Sequence, residues 1–464
     1  MNTLLTMLST TVLLPPLTAE ESAAAAAKLG ELSGLRVYPG SLAASGGVVF
    51  FLGRTEERKF LGILSREGHV AATAFVGEEK AFDENGEKYQ LKISSLDHVN
   101  AAALRRALPY TGPVPLGLQK SVGLGDRLGL ATPGHVRAVR GTGLAPIFAQ
   151  QSIREMARTG RTPEQVLDDV TWGVFQEGWR QGFGADADHL KTPNDIGICV
   201  AAGFTFYTID PSEHVDNAAD TEDAATLAHK VEALPWGNLE YTLADLRRAY
   251  VGRAFIVGDG LRLSFSEETL FRAAAKYGRA VAHTALMYRH LAGRLGDKPF
   301  ELEVSVDETA TPTSPAEHCF VASELKRLGV KWVSLAPRFV GRFEKGVDYI
   351  GDLAGFERDF VWHVAVARHF GPHKLGIHSG SDKFSIYPIV ARHAGNLVHL
   401  KTAGTSYLEA LRAVASIDPV LFRQVLAFSL ERYEQDKASY HVSADPSKVP
   451  APDQLADPEL AGVL

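Results

Sequence analysis

Short apolar runs alternate with helical segments through most of the chain after about residue 111. The runs that we predict as strands are VPLGLQ (114–119), GADADHL (184–190), GFTFYTID (203–210), PFELEVSVDE (299–308), KWVSLAPRF (331–339), KLGIHSG (374–380) and NLVHLKTAG (396–404). Helical segments lie between them, and the stretches 162–165 (TPEQ) and 314–317 (SPAE) each place an N-cap, a first-turn proline and a capping-box residue in order. Strands that alternate with helices predict a parallel sheet with helical crossovers.

These strands predict an α/β fold, a (β/α)8 TIM-like barrel in which one strand escapes the pattern. An open doubly wound sheet is the alternative. The first hundred residues mix β-like runs such as GGVVFFLG (46–53) with polar turns, which predicts a small α/β cap. The last residues are rich in proline and predict a surface arm. We therefore divide the chain into an N-terminal cap (1–110), a barrel domain (111–445) and a C-terminal arm (446–464).

Composition and charge exclude several classes of protein. The chain has 464 residues, 45% of them hydrophobic and 22% charged, which are ordinary globular values, and its net charge of -7 gives no basic footprint for nucleic acid. No apolar run reaches the roughly 18 residues of a membrane span. Cys199 and Cys319 are the only cysteines, which excludes a disulfide framework and indicates a reducing, cytoplasmic compartment. The expected partner is a small soluble molecule, and a homo-oligomer stays open.

The apolar N-terminus, MNTLLTMLSTTVLLPPL, carries no Lys or Arg before its apolar part. We interpret it as a docked or frayed terminus rather than a signal peptide.

Polar residues stand where the predicted strands end, and in a barrel of this kind the active site lies at those ends. They are Asp186, Asp188, His189, Asp210, Glu303, Asp307, Arg338, His378, His399 and Lys401. Alternation in FELEVSVD turns Glu303 and Asp307 inward, where a carboxylate needs a paired cation, a proton or a metal. Structural ion pairs are the alternative for Glu303.

Imidazole and carboxylate groups together predict a site for a divalent metal cation such as Zn, Mn, Ni or Co. We predict His189, His378 and His399 as its ligands, although a single strand histidine is more often a hydrogen-bonded core residue. Strict alternation would put Asp188 and His189 on opposite faces, so one of them must lie where the strand begins to turn. The remaining histidines in helices, loops and helix starts fit a site less well: His135, His214, His283, His290, His318, His363, His369 and His373.

Two strand-to-helix turns, SGSDK (379–383) and TAGTS (402–406), place small residues where backbone N–H groups can converge ahead of a helix. They predict a bound carboxylate or phosphate, with helix capping as the alternative. The Gly-rich stretch 118–135 lacks a nucleotide-binding pattern and predicts an active-site loop. The substrate-binding residues predicted from these segments and from the strand ends are Lys120, Asp126, Arg127, Arg338, Ser379, Ser381, Asp382, Lys383, Lys401 and Thr405.

Several long motifs together resemble one known family. ADADHLK, ELEVSVDET, VSLAPRFVG, LGIHSGSDKFSIYP and LVHLKTAGTSYLEALR, spread over residues 112–442, are similar to the tagaturonate epimerase family of hexuronate breakdown. The resemblance implies a metal-dependent, TIM-barrel-like isomerase that interconverts D-tagaturonate and D-fructuronate, which are epimers at C4 in ketose numbering. It also suggests that neutral ketohexoses such as fructose and tagatose are accepted.

The chemistry of this substrate suggests a mechanism. C4 is β to both the ketone and the carboxylate, so removal of its hydrogen gives no stabilised carbanion, whereas cleavage of the C3–C4 bond gives an enediolate and an aldehyde. We expect a retro-aldol step, rotation of the aldehyde and re-addition, with Asp188 and Glu303 as base and acid and Asp307 as their substitute. Transient keto-migration stays open. So do a class II-like metal aldolase, an aldose-ketose isomerase and, less favoured, a non-catalytic sugar-acid-binding protein.

Overall fold

The structure is a computed structural model that describes residues 2–10, 12–84, 86–258, 260–402, 406–439 and 442–464. Within these ranges the chain forms an antiparallel sheet near the N-terminus, a closed parallel barrel and a small β-hairpin. Helices surround the barrel and cover the sheet. The first hundred residues therefore form the α/β cap that the β-like runs predict.

The N-terminal sheet lies between two layers of helix. Its strands are β1 (Arg36–Val37), β2 (Ala43–Ser45), β3 (Val48–Arg54), β4 (Lys59–Arg66), β5 (Glu78–Glu84) and β6 (Glu87–Ser94), paired in the order β1-β3-β4-β6-β5, with β2 also paired to β3. Successive residues point to opposite faces. Phe51 faces helices α1 (Asn2–Leu8) and α2 (Ala19–Ser33), whereas Phe50 packs with α3 (His98–Ala107) and with Trp172 of a barrel helix. Apolar packing therefore fastens the cap to the barrel.

The barrel is closed by eight parallel strands among the described residues, which confirms the (β/α)8 prediction. In chain order they are β7 (Ser121–Gly123), β8 (Ala145–Ser152), β9 (Gly184–Leu190), β10 (Phe206–Ile209), β13 (Glu301–Ser305), β14 (Ser334–Ala336), β15 (Lys374–Ile377) and β16 (Val398–Lys401). The hairpin of β11 (Ala254–Ile256) and β12 (Arg262–Ser264) is inserted before β13. Each strand of the barrel pairs in parallel with its neighbours, so all of their carboxyl ends lie at one rim.

The sequence pattern misplaces the first strand of the barrel and misses the second. The strand that it misses is β8, which is buried along its whole length and therefore shows no alternation between apolar and polar residues. The segment 114–119 is not a strand, because the chain turns there through Gly117, whose φ of 63° is left-handed. The first barrel strand follows that turn as the short β7.

The outer helices before residue 395 bury their apolar sides against the barrel, whereas the last two pack with the C-terminal arm. The outer helices are α4 (Thr132–Val139), α5 (Ile153–Thr159), α6 (Pro163–Glu177), α7 (Pro193–Ala202), α8 (Ala224–Glu232), α9 (Trp236–Leu239), α10 (Leu243–Tyr250), α11 (Glu267–Leu295), α12 (Pro315–Arg327), α13 (Leu353–His369), α14 (Tyr387–Ala394), α15 (Ser406–Ile417) and α16 (Pro419–Asp436). The capping boxes predicted at 162–165 and 314–317 start α6 and α12. Among the described helices, even the longest lacks the apolar character needed to cross a bilayer.

Short 3-10 turns complete the described secondary structure. They are Pro39–Ser41, Val70–Ala74, Pro109–Thr111, Ser212–His214, Asn217–Asp220, Lys437–Ser439, Pro446–Lys448 and Asp457–Val463. In the C-terminal arm, Leu455 and Leu460 pack against Ala415 of α15 and Phe422 of α16. The arm is therefore docked through a small apolar cluster of its own.

Candidate active site

Charged side chains gather at the carboxyl rim of the barrel in what we call the mouth cluster. Its members lie on β9, β13 and β16 or directly after β13 and β15: Asp186, Asp188, His189, Glu303, Asp307, His378 and Lys401. Because parallel strands all end at the same rim, residues far apart in the sequence meet there.

Alternation along β13 decides which of its side chains enter the barrel. Leu302 and Val304 pack outward among the helices, whereas Glu303 is fully buried inside. The Glu303 carboxylate lies 2.8 Å from the Lys401 ammonium group and 2.8 Å from His378 Nε2, and it accepts a hydrogen bond from the Ser334 hydroxyl. A buried carboxylate requires such partners, and here the cluster supplies them.

The ammonium group of Lys401 lies among carboxylates of the protein itself. Its Nζ is 2.8 Å from Asp186, 2.9 Å from Asp188 and 2.8 Å from Glu303. Burial disfavours the ammonium form, but these carboxylates outweigh burial and hold the pKa of Lys401 well above its ordinary value. Lys401 lines the inner pocket, where these carboxylates already compensate its charge, and its role in binding a substrate anion stays a prediction.

Each mouth-cluster imidazole has one nitrogen on a carboxylate behind it and the other turned towards Asp307. His189 Nδ1 lies 2.7 Å from Asp188, and His189 Nε2 lies 3.9 Å from Asp307. His378 Nε2 lies 2.8 Å from Glu303, and His378 Nδ1 lies 3.0 Å from Asp307. In the neutral form of each imidazole, Asp188 and Glu303 favour the tautomer whose proton lies on the nitrogen facing them, as carboxylates behind metal-ligating histidines do.

The donor atoms of this cluster fit a divalent cation. Ligand atoms of His189, Asp307 and His378 lie within 4.8 Å of one another, and a second such group combines His189 with Asp210 and Glu308. Asp210 is buried, and its Oδ2 accepts no hydrogen bond from the described residues. Mixed imidazole and carboxylate donors suit a borderline cation such as zinc, manganese, nickel or cobalt.

The backbone at His189 explains how neighbouring side chains both reach the site. Its φ of 55° is left-handed, and the pairing of β9 with β10 changes register at this point. Strict alternation would place Asp188 and His189 on opposite faces of the strand. The turn at the strand end instead brings His189 towards Asp188. Ser379, next to His378, is also left-handed, with φ of 46°. Such backbone costs about 1–3 kcal/mol per residue and concentrates at functional sites.

Opposite charges shift the pKa values of the cluster apart. Burial disfavours imidazolium, but Asp188 raises the pKa of His189 to about 10, and Asp307 raises that of His378 to about 9. Burial acts against the carboxylate of Asp307, yet the facing imidazoles hold its pKa below the ordinary value. Burial raises the pKa of Asp186 to about 6. The cluster is therefore a set of mutually compensated charges.

A cleft leads from the mouth cluster to solvent. Its outer part, which we call the outer cleft, encloses about 240 Å³ and is lined in part by Arg338, Phe339 and Arg342. The smaller inner pocket, of about 50 Å³, reaches Asp188 and His189. The residues that line both parts are Arg154, Asp307, Glu308, Lys345, His378 and Ser379. Arg338 and Ser379, which were predicted to bind substrate, therefore line the cleft.

The family model of tagaturonate epimerase matches residues 38–464. The chain belongs to this family. This confirms the resemblance drawn from the strand-end motifs, and it extends the match through the cap and the C-terminal arm.

Individual relatives cover almost the whole chain. A protein named tagaturonate/fructuronate epimerase, from Thermotoga maritima, is 45% identical over 431 residues, which span 93% of this chain and 86% of that protein. Crystal structures of the fructuronate-tagaturonate epimerase UxaE from Cohnella laeviribosi, native and complexed with glycerol, are 39% identical with a TM-score of 0.85. The match covers 95% of this chain and 87% of the Cohnella laeviribosi chain. Members of the family therefore share this whole architecture.

His399 does not join His189 and His378. It pairs across the ladder with Ser121, whose hydroxyl lies 3.0 Å from His399 Nδ1, and burial lowers its pKa to about 3. It belongs to neither donor group found among the described residues. The prediction of His399 as a ligand is corrected, because it precedes Lys401 by two residues on the same inward face and so lies about 7 Å deeper in the barrel.

The turn at 379–383 does not form the predicted anion site. Lys383 Nζ donates to the carbonyls of Glu344 (2.7 Å), Val347 (2.6 Å) and Ser381 (2.9 Å), and burial lowers its pKa to about 8. Ser381, Asp382 and Lys383 lie outside the linings of the inner pocket and outer cleft in the described chain. The following helix, α14, begins only at Tyr387, after this turn has ended.

The remaining residues that were predicted to bind substrate lie in different surroundings. Lys120 precedes β7 and so lies at the end of the barrel opposite the site. The Asp126 carboxylate holds its own loop by accepting backbone N–H groups, of which that of Gly129 lies at 2.9 Å. Arg127 pairs with Glu155, which lines the inner pocket, at 2.6 Å. Thr405 lies outside the described residues.

Arg154 and Lys345, the cations that line both parts of the cleft, are not among the residues predicted from the sequence. Arg154 follows the overlooked strand β8, so recognition of that strand would have drawn attention to it. Lys345 lies in the long connection from β14 to α13, at a position that no strand end marks. Burial and the nearby charges of Arg127 and Arg154 lower the pKa of Lys345.

Proposed function

We propose that this chain is a metal-dependent epimerase that interconverts D-tagaturonate and D-fructuronate by inverting C4. The observation that carries the proposal is the match to relatives of that name over 93% of the chain, combined with a donor group at the barrel rim. A sugar acid with a 2-keto group suits such a site, because it offers oxygens to a cation and a carboxylate to a positively charged cleft.

We propose His189, Asp307 and His378 as the residues that hold the cation, with Asp210 beside them. When bound there, a divalent cation would polarise the ketone and offset negative charge that develops on its oxygen. Asp188 and Glu303 would act from behind by orienting the imidazoles.

Bond chemistry favours a retro-aldol route. The proton of the C4 hydroxyl leaves to a base, the C3–C4 bond breaks, and its electron pair forms the enediolate of a three-carbon fragment while C4 becomes an aldehyde. Rotation of the aldehyde and re-addition of the enediolate to its other face restore the bond with C4 inverted. Return of the proton to the new C4 alkoxide completes a reaction without net loss of atoms or electrons.

Proton transfer requires a carboxyl group that reaches the substrate. Asp188 lines the inner pocket, whereas Glu303 is fully buried and outside that lining. We therefore retain Asp188 as the base and assign Glu303 to positioning His378. Glu308, which also lines the pocket, is the candidate for returning the proton. Asp307 is reserved for the cation.

The test begins with chelated protein. Fructuronate is incubated with it, single divalent metals are added back, and tagaturonate is followed with time. We expect conversion that depends on the metal. Release of two three-carbon fragments would identify an aldolase, and movement of the carbonyl to C1 an aldose-ketose isomerase. Failure of every metal to support turnover would refute the proposal.

A second experiment separates retro-aldol cleavage from keto-migration. Carbon-13 isotope effects are measured at C3 and C4 while the chemical step limits the rate. We expect normal effects at both carbons, because the bond between them breaks. Values of unity at both would exclude the retro-aldol route.

The buried, free cysteines Cys199 and Cys319 support placement of the enzyme in a reducing compartment, the cytoplasm. We include this location in the proposal.

A further inference from the structure

The acid end of the substrate needs a cation that the mouth cluster does not supply. The ammonium group of Lys401 lies among carboxylates, and that of Lys383 donates to backbone carbonyls. Lys401 lines the inner pocket with its charge already compensated, and Lys383 is absent from the described linings of both parts of the cleft. The size of the substrate limits where the cationic side chain that pairs with its carboxylate can lie.

The carboxylate carbon, C6, is separated from the reacting carbon C4 by two carbon–carbon bonds, a span of about 2.5 Å. With C4 in the inner pocket, the carboxylate must lie in the same pocket or at its junction with the outer cleft. Arg338 and Arg342 line the outer cleft and are absent from the described lining of the inner pocket. Arg154 and Lys345 line both parts and lie at that junction.

Lys345 is held between neighbours that other segments fix. Lys383 donates to the carbonyls of Glu344 and Val347, on either side of Lys345. The carboxylate of Glu344 in turn accepts hydrogen bonds from Ser443, at 2.8 Å from its backbone nitrogen and 2.6 Å from its hydroxyl. We call this set, Lys383, Glu344 and Ser443, the loop brace. It fixes the backbone on both sides of this half-buried lysine, which lines the inner pocket, so less conformational freedom is lost on binding.

Arg154 approaches the same junction from α5. It lies 3.4 Å from Glu308, and both side chains are partly exposed, so this ion pair is weak and can give way to a substrate carboxylate. Its planar guanidinium suits a carboxylate, while the ammonium group of Lys345 adds a second charge.

We propose that Lys345, together with Arg154, binds the carboxylate of the hexuronate substrate, and that the loop brace positions Lys345 for this contact. The inference rests on the proposed function, because it assumes that a hexuronate is the substrate. It assigns to Lys383 a positioning role in place of direct contact with the anion.

The main test is Lys345→Met, assayed with fructuronate and saturating metal. A lost charge-assisted hydrogen bond corresponds to about a 10- to 100-fold change, which we expect as a rise in KM with metal content unchanged. Lys345→Arg should recover most of the loss. Lys331→Met removes the same charge from an exposed site before β14 and should leave KM unchanged.

The brace is tested by Lys383→Met and by the milder Ser443→Ala. Each should raise KM for fructuronate while kcat stays within about twofold of the parent, and Lys345→Met with Lys383→Met should be no worse than Lys345→Met alone. Additive losses, or a fall in kcat at unchanged KM, would overturn the positioning role.

The outcomes separate this inference from the function on which it rests. Turnover of fructuronate by the parent, with a KM in Lys345→Met equal to that of the parent, overturns the assignment of Lys345 alone. An inactive parent protein with every metal overturns both.

Discussion

Two clusters of histidine in this molecule place the same side chain in opposite electrostatic settings. In the mouth cluster, His189 and His378 lie against carboxylates and line the cleft. In the second, which we call the helix-side cluster, His318 of α12, His363 of α13 and His373 before β15 are fully buried. There the rings contact one another: His318 Nδ1 lies 3.0 Å from His363 Nδ1, and His318 Nε2 lies 3.2 Å from His373 Nε2.

The neighbouring carboxylates account for the contrast. In the mouth cluster they overcome burial and raise the pKa values of the imidazoles. In the helix-side cluster burial dominates, holds the pKa of His318 well below its ordinary range and lowers that of His373 to about 3. His318 also divides its nitrogens between two neighbours, and the helix-side rings belong to neither donor group among the described residues. The surroundings of a histidine therefore decide whether it can serve a cation.

The largest expected effect comes from His378→Ala. Loss of this donor should abolish metal binding and reduce turnover to background, while the fold persists because Lys401 still compensates Glu303. Metal per chain after dialysis and thermal unfolding measure the two properties. His399→Gln, at an imidazole outside the donor groups of the described chain, should keep its metal. Stoichiometric metal in His378→Ala would remove the distinction between the clusters.

Lys401→Met should be the most destabilising change in the mouth cluster. It leaves the buried carboxylates of Asp186, Asp188 and Glu303 without their cation, which costs about 3–5 kcal/mol at neutral pH. The deficit should shrink as the pH falls and these groups take up protons. Urea unfolding of parent and variant at pH 7 and pH 5 measures it, and equal free energies of unfolding at pH 7 would contradict the role of Lys401.

His318→Leu tests the helix-side cluster in the same way. It removes the hydrogen-bond partner of both neighbouring rings and should lower the free energy of unfolding by about 1–3 kcal/mol. Metal content and kcat should not change, because the cluster lies outside the cleft. Loss of metal in this variant would show that the two clusters are coupled.

The smallest effect is a pH dependence that His373 and His318 impose on stability. Unfolded histidine takes up a proton near pH 6.5, whereas burial lowers the pKa values of His318 and His373 in the folded protein, so below that pH the unfolded state binds more protons. Stability is thus fully present above about pH 6.5 and falls by about 1.4 kcal/mol per pH unit for each group as the pH decreases. Unfolding of His373→Leu between pH 7.5 and 5 should show a slope shallower by that amount. An unchanged slope would contradict the low pKa.

Period-two alternation is strong enough in 299–308 to predict the inward Glu303 and Asp307 before any coordinates exist. The same rule predicts a turn at Asp188 and His189, which the left-handed backbone of His189 supplies. Strand-end position likewise identifies His378. These features depend on local sequence, and so local sequence reveals them.

Depth and long-range contacts are less accessible to such reasoning. His399 looks equivalent to His378 in the sequence. Its depth in the barrel depends on how many residues separate it from the end of its strand, and the sequence does not mark clearly where that strand ends. Lys383 resembles an anion ligand in the sequence, but in the structure its ammonium group donates to the carbonyls of Glu344 and Val347, which are distant in sequence. The contribution of Lys345 depends on the path of a long loop, which periodicity does not describe.

The contact of Lys401 with carboxylates from β9 and β13 has a consequence for how this family can diverge. The carboxylates behind His189 and His378, the imidazoles that we propose to hold the cation, share Lys401 as a single counter-ion, so a change behind one imidazole alters the electrostatics behind the other. Efforts to change the selectivity of the proposed cation site should therefore alter positions 188, 303 and 401 as one inherited unit, because replacing one of them alone changes the charge balance behind both imidazoles.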